Sequence, residues 1–154
     1  MILLYGKRNI KDLKKTMIYK KLFVDSDVLL DLLLQRKPFD RFTQLLFEES
    51  RRNKLDIHTS VLILANIHYV ISKRFNKNIA KSQLRLLMGI IKTLSLEPND
   101  IINSLNNEHS DFEDTVQFNV AKKHGCDLII SRNIKHYKKF DIPVLTAEEF
   151  LKTL

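Results

Sequence analysis

Short apolar runs alternate along this chain with longer amphipathic ones, and that alternation narrows the fold more than any other feature of the sequence. Strand-like runs lie near 21–25, 55–59, 93–96, 127–130 and 142–145. Helical spacing fills the gaps, over 27–36, 38–53, 60–75, 79–92, 98–107, 111–124 and 146–152, with Pro38 and Pro98 suited to first-turn positions that need no amide donor. Strands separated by helices pair in parallel and are covered on both faces. The pattern therefore predicts an α/β fold, a three-layer α/β/α sandwich around a central, mainly parallel sheet of about five strands. With 154 residues, 44% of them hydrophobic, the chain has enough for one core and too little for two.

The first strand ends abruptly. Leu22-Phe23-Val24 gives way to Asp25-Ser26-Asp27, and then to the helical run Val28-Leu29-Leu30-Asp31-Leu32-Leu33-Leu34. In an open α/β sheet, ligands bind outside the carboxyl ends of the strands. Acids placed there suit a divalent cation or acid/base chemistry, if other segments bring more oxygen ligands. Asp127-Leu128-Ile129-Ile130 repeats the arrangement and ends in Ser131-Arg132-Asn133. Ser131 and Asn133 can bond metal-bound water or cap the helix that follows, and Arg132 or Lys135 can meet phosphate. A third polar group, Ser110-Asp111-Phe112-Glu113-Asp114, opens the helix at 111–124. Ser110 and Glu113 have capping-box spacing, and acids suit a helix N-terminus. Three carboxylates nevertheless exceed what capping needs, and a cation would relieve their repulsion. Asn66, alone among Leu64, Ala65 and Ile67, is either hydrogen-bonded in the core or turned to a polar cleft.

Other chemistries are excluded. The three glycines are scattered, so neither a phosphate loop nor a dinucleotide fingerprint exists; Gly125 suits a left-handed helix cap after His124. Cys126 is the sole cysteine, which rules out an intrachain disulfide or a cysteine zinc site and fits a small buried residue. The five histidines lack zinc-ligand spacing, and His68 is expected to pack or lie at the surface. The formal charge of +8 is concentrated at one end. Residues 1–21 hold seven basic side chains against Asp12, which leaves only +2 for the rest, so nucleic-acid binding is weakly supported by charge alone. Residues 1–16 read as a basic extension, an appended arm or a start assigned upstream of Met17, and 17–154 as the single domain. No apolar run is long enough for a membrane span or a signal peptide, so the expected location is the cytoplasm.

Taken together, FVDSDVLLDLLL, DFEDTVQFNVAKKHGCDLIISRN and IPVLTAEEFL resemble the PIN domain, the nuclease fold of VapC-type toxins and RNA-processing enzymes, from about Tyr19 to Leu154. TSVLILANIHYVI resembles the branch in which asparagine replaces a glutamate of other members. The resemblance implies a divalent-metal-dependent endoribonuclease, the toxin of a toxin–antitoxin module. Its cofactor would be Mg²⁺ or Mn²⁺ and its partners RNA, a cognate antitoxin and a second copy of the chain. It implies Asp25 and Asp114 as the main metal-binding acids and Asp111 as an additional one. Asn66 would lie near the metal, with Ser131 and Asn133 on the opposite wall. Arg132 and Lys135 would contact the RNA backbone, with Lys73, Arg74 and Lys77 as further candidates. Three positions depart from the family pattern: Asp27 where asparagine is usual, His136 where aspartate is commoner, and Asn133 where many members carry an acid.

Two other readings fit parts of the sequence. Asp25-Ser26-Asp27 also resembles the motif of haloacid dehalogenase-like phosphatases, in which the first aspartate is the nucleophile. Leu29 departs from that family, and the chain is short for its fold plus cap. A degenerate PIN fold, eroded at Asn66, Asn133 and His136, would be an RNA- or protein-binding module without catalysis.

Overall fold

A computed structural model describes residues 19–108 and 111–154; the basic extension at 1–16, Met17 and Ser110 lie outside the described residues. Among the described residues five strands form one sheet: β1 Lys21–Val24, β2 Asp56–Ser60, β3 Lys92–Leu94, β4 Leu128–Ile130 and β5 Val144–Leu145. Every pairing is parallel, in the order β3-β2-β1-β4-β5, so the expected mainly parallel sheet is parallel throughout. Among the described residues the helices are α1 Ser26–Leu33, α2 Phe39–Asn53, α3 Val61–Arg74, α4 Lys77–Met88, α5 Pro98–Leu105, α6 Phe112–Lys123, α7 Ile134–Tyr137 and α8 Ala147–Leu151.

The strands read as unbroken apolar runs because side chains on both faces of the sheet are covered. Leu22, Phe23 and Val24 of β1 and Leu128, Ile129 and Ile130 of β4 are all inaccessible to solvent. Burial of each such side chain stabilises the fold by roughly 1.5–3 kcal/mol before the entropy of ordering is set against it. The two strands pair directly, Val24 opposite Ile130, and Asp25 N–H continues the ladder by donating to Ile130 O at 2.9 Å.

Most boundaries fall within a few residues of those expected from sequence. The first helix stops at Leu33 instead of 36, because Leu34 caps it and Gln35 turns left-handed at φ 51°. The fourth helix spans Lys77–Met88, where 79–92 was expected. Asn76 accepts from Ile79 N at its start, and the chain turns after Met88 to enter β3 at Lys92. β5 is only Val144–Leu145, shorter than the expected 142–145. Pro38 sits one residue earlier than a first-turn position, at the N-cap of α2, whereas Pro98 begins α5 as expected. The short helix α7 is the one expected to follow Ser131 and Asn133, but no range was assigned to it from sequence, because four residues are too few to display a period. Gly125 has φ 70°, the left-handed cap inferred from its place after His124, and Cys126 is buried, its thiol pushed up to about 11 by that burial.

The order of the strands locates the site. The chain runs from β1 outward to β3, then returns to place β4 on the other side of β1. Reversal at β1 and β4 splays the following segments apart at their carboxyl ends and opens a crevice there. Asp25 ends β1 and Ser131 ends β4.

Candidate active site

Asp25 stands at the floor of this crevice, 5% exposed. Its side chain caps α1, with Oδ1 accepting from Ser26 N at 2.7 Å. Oδ2 accepts from Ser131 Oγ at 2.9 Å and from Tyr137 OH at 3.0 Å. Ser131 is fully buried and also accepts from Asn133 N, at 3.0 Å. Asn133 occupies the N-cap position of α7 without a side-chain capping bond, so it enters the network through its backbone amide. Tyr137, 1% exposed, was not expected from sequence, because a tyrosine four residues into an apolar-polar segment reads as core. Burial, then Asp25 and Asp114, push its hydroxyl far above the ordinary range, so it serves as a neutral donor.

The third wall comes from α6, whose N-terminus faces the same sheet edge. Asp111 is the N-cap: Oδ1 accepts from Glu113 N at 2.9 Å and Asp114 N at 3.2 Å. The helix expected to open at 111 therefore begins one residue later, with Asp111 as its cap and Asp114 in its first turn. Asn66 is turned to the polar cleft, its Nδ2 donating to Glu113 Oε1 at 2.6 Å. His136 Nδ1 pairs with Asp114 Oδ2 at 2.6 Å. His68, by contrast, is half-buried with its Nδ1 3.4 Å from Ser72 Oγ, away from this network.

Electrostatics bind these groups into one cluster. Burial raises the Glu113 carboxyl, and Asp111, Asp114 and Asp25 raise it further. Asp114 is raised by burial and by Asp25, with the His136 bond opposing. Asp27 is pushed up to about 6, by burial first and Asp25 second, even though Oδ1 accepts from Val28 N at 2.7 Å and Oδ2 from Arg132 N at 3.0 Å. Carboxylates crowded this way gain from a cation in their midst.

Arg132 has a different placement from Lys135. Its Nε lies 2.9 Å from Oδ2 of Asp31, a carboxylate only 1% exposed, and its guanidinium rests 4.4 Å from the centroid of the Phe39 ring. Arg36 Nη1 lies 3.9 Å from the other Asp31 oxygen. Arg132 thus clamps α1 to the end of β4, while Lys135 is exposed. Asp31 was missed from sequence because an acid inside a leucine-rich helix gives no sign of its distant partner. Lys73 and Arg74 lie over the rings of Tyr69 and Phe75 near the end of α3, and Lys77 begins α4.

Among the described residues, no three His, Cys, Asp or Glu side chains form a ready metal cage. The donor set nevertheless fits Mg²⁺ or Mn²⁺. It consists of hard oxygens, and Mg²⁺ is commonly held by one or two carboxylates with water and substrate phosphate supplying the rest. Asp25 and Asp114 are two carboxylates of this edge that act on each other, the charge of Asp25 raising Asp114.

Residues 21–135 match the family model of the PIN domain. Ribonuclease VapC1 of Aquifex aeolicus is 32% identical over 136 residues, covering 85% of this chain and 93% of that protein. The fold is shared with VapBC2 from Rickettsia felis, solved bound to a DNA fragment from its promoter (TM-score 0.62, 14% identity, 82% of this chain and 98% of that one). It is shared too with VapC20 of Mycobacterium tuberculosis, a Sarcin-Ricin loop cleaving toxin (TM-score 0.58, 14% identity, 70% and 86%). A toxin–antitoxin complex from Klebsiella pneumoniae is similar in the same way (TM-score 0.62, 16% identity, 82% and 97%).

Proposed function

The chain belongs to the PIN domain family, and from that premise we propose that it is a VapC-type endoribonuclease, the toxin of a toxin–antitoxin module, hydrolysing RNA phosphodiesters with Mg²⁺ or Mn²⁺. The observation that carries the reading is the meeting of Asp25, Glu113 and Asp114 at the carboxyl edge of the sheet, where each raised carboxyl feels the charge of Asp25.

Asp25 and Asp114 would hold the cation, with Asp111 contributing charge from the N-cap of α6. When bound, the cation supplies an activated water and neutralises charge developing on the scissile phosphate. The protein's own contribution is orientation. Ser131 and Tyr137 fix Asp25, Asn133 N–H fixes Ser131, and the Arg132–Asp31 pair holds the loop that carries them. Lys135 is the exposed cation of this loop suited to the RNA backbone, and Arg132 serves the RNA through the loop it braces. Asn66 is the residue on which the resemblance to the asparagine-bearing branch rests. Its amide donates to Glu113, so the charge that a glutamate at 66 would add is supplied by Glu113 from the neighbouring helix.

The three hydrogen bonds accepted by Asp25 disfavour the phosphatase reading. A carboxylate that accepts three hydrogen bonds at 2.7–3.0 Å is a weakened nucleophile. The partners are RNA, a small cognate antitoxin and a second copy of the chain. Exposed apolar side chains on α3 and α4, including Tyr69 and Leu86, support protein contacts. Among the described residues no helix is long and apolar enough to cross a membrane, and the proposed location is the cytoplasm. The test is cleavage of RNA in Mn²⁺ by wild type, Asp25→Asn and Asp114→Asn. Each variant should remain folded and lose at least about 100-fold in rate. Equal turnover in both folded variants would sink the assignment, and a wild type that binds RNA without cutting it would favour the degenerate module.

A further inference from the structure

Tyr137 is a buried polar group that the residue pattern did not single out, and its position has a consequence for the cation. Each carboxylate oxygen has about two acceptor sites. On Asp25, Oδ2 uses both, one for Ser131 Oγ at 2.9 Å and one for Tyr137 OH at 3.0 Å. Oδ1 uses one, for Ser26 N at 2.7 Å. The three donors come from separate places in the chain: the first residue of α1, the residue after β4 and the last residue of α7. Ser131 and Tyr137 are both buried, and Tyr137 packs beside Phe140 at 5.9 Å between ring centroids, so neither donor swings away freely.

We propose that Tyr137 is a positioning residue that, with Ser131, saturates Oδ2 of Asp25, so that Asp25 meets a divalent cation through Oδ1 alone and the centre selects a small octahedral ion over Ca²⁺. This rests on the assignment of Asp25 as a metal-binding acid made above. The chemistry of the two cation classes makes the difference. Mg²⁺ and Mn²⁺ accept six ligands and are satisfied by single carboxylate oxygens with water, whereas Ca²⁺ takes six to eight and often draws both oxygens of one carboxylate. Asp25 with a single open acceptor site offers Ca²⁺ no second oxygen. Tyr137→Phe removes one donor from Oδ2, keeps the ring in the core and makes two-oxygen contact available.

The experiment is calorimetric titration of the full chain, of Tyr137→Phe and of Asp25→Asn with MnCl₂ and separately with CaCl₂, in the absence of RNA. Wild type should bind Mn²⁺ at least about tenfold more tightly than Ca²⁺. Tyr137→Phe should tighten Ca²⁺ several-fold while Mn²⁺ changes less, narrowing the ratio. A crystal structure with Mn²⁺ should show Asp25 coordinating through Oδ1 only. An unchanged ratio in Tyr137→Phe, or the same factor for both ions, would overturn the positioning role while loss of binding in Asp25→Asn upheld the metal assignment. Undiminished Mn²⁺ binding by Asp25→Asn would overturn that assignment and this inference with it. Thermal melts of Tyr137→Phe establish that the variant is folded, and the crystal structure of wild type decides the coordination independently of it.

Discussion

Asp27 is a carboxylate held where its charge is unwelcome, two positions from Asp25 and largely covered, and its pKa of about 6 against an ordinary 3.8 records that cost. A raised acid binds its proton more tightly in the folded state, so its destabilising effect is absent below about pH 4 and complete above about pH 6. His58, lowered chiefly by burial, works oppositely in that range, and the lowered Asp56, Asp100 and Asp141 act only below it. Comparison of wild type with Asp27→Asn cancels those contributions. In EDTA, the stability difference between the two should move in the variant's favour by on the order of 2–3 kcal/mol as pH rises from about 4 to 7, read from denaturant melts. A pH-independent difference would show that Asp27 titrates alike in the folded and unfolded states, its carboxyl unshifted by burial. At Asp31, the acid missed from sequence, Arg132→Ala leaves the carboxylate buried beside only the more distant Arg36. Removing one partner of a buried pair is severe, and with Arg132 one-third exposed the loss should be about 2–3 kcal/mol in urea melts.

At the scale of elements, the site depends on how helix starts are pinned to the sheet edge. Ser60 ends β2 and caps α3. Its Oγ accepts from Ile63 N at 3.1 Å and donates to Gln117 Oε1 of α6 at 2.6 Å, deep in the core. One hydroxyl therefore joins the helix that carries Asn66 to the helix that carries Glu113 and Asp114. Ser60→Ala forfeits the cap and strands the buried Gln117 oxygen, and should destabilise by about 2 kcal/mol. Loosening of the Asn66–Glu113 contact should accompany this as faster amide exchange in the first turn of α6. Unaltered exchange there would mean that the two helices are aligned by apolar packing alone. The Asp31–Arg132–Phe39 stack does the same for α1, α2 and the segment after β4, which positions Lys135 and His136 at the crevice.

For the whole molecule, the cluster of raised carboxyls concentrates like charge that the proposed cation would relieve. A cation that binds only the native state stabilises it by RT ln(1 + [L]/Kd), about 2.7 kcal/mol at a hundredfold excess over Kd. Mn²⁺ should therefore raise the melting temperature of wild type and leave Asp25→Asn unmoved. The same shift in both proteins would place the bound ion elsewhere. The sequence by itself determined the α/β class, the parallel sheet and the ends of β1 and β4, because apolar runs buried on both faces and terminal polar residues are local and periodic. It also determined which family the chain joins, through motifs in a fixed order. What only the tertiary structure decided are the partnerships: Asn66 with Glu113, His136 with Asp114, Tyr137 with Asp25, and Arg132 with Asp31. These join residues far apart in the chain, or through helices too short to have a period, and no local pattern records them. A carboxylate's chemistry follows from the donors and charges that surround it, and here those are assembled only when β4 returns beside β1.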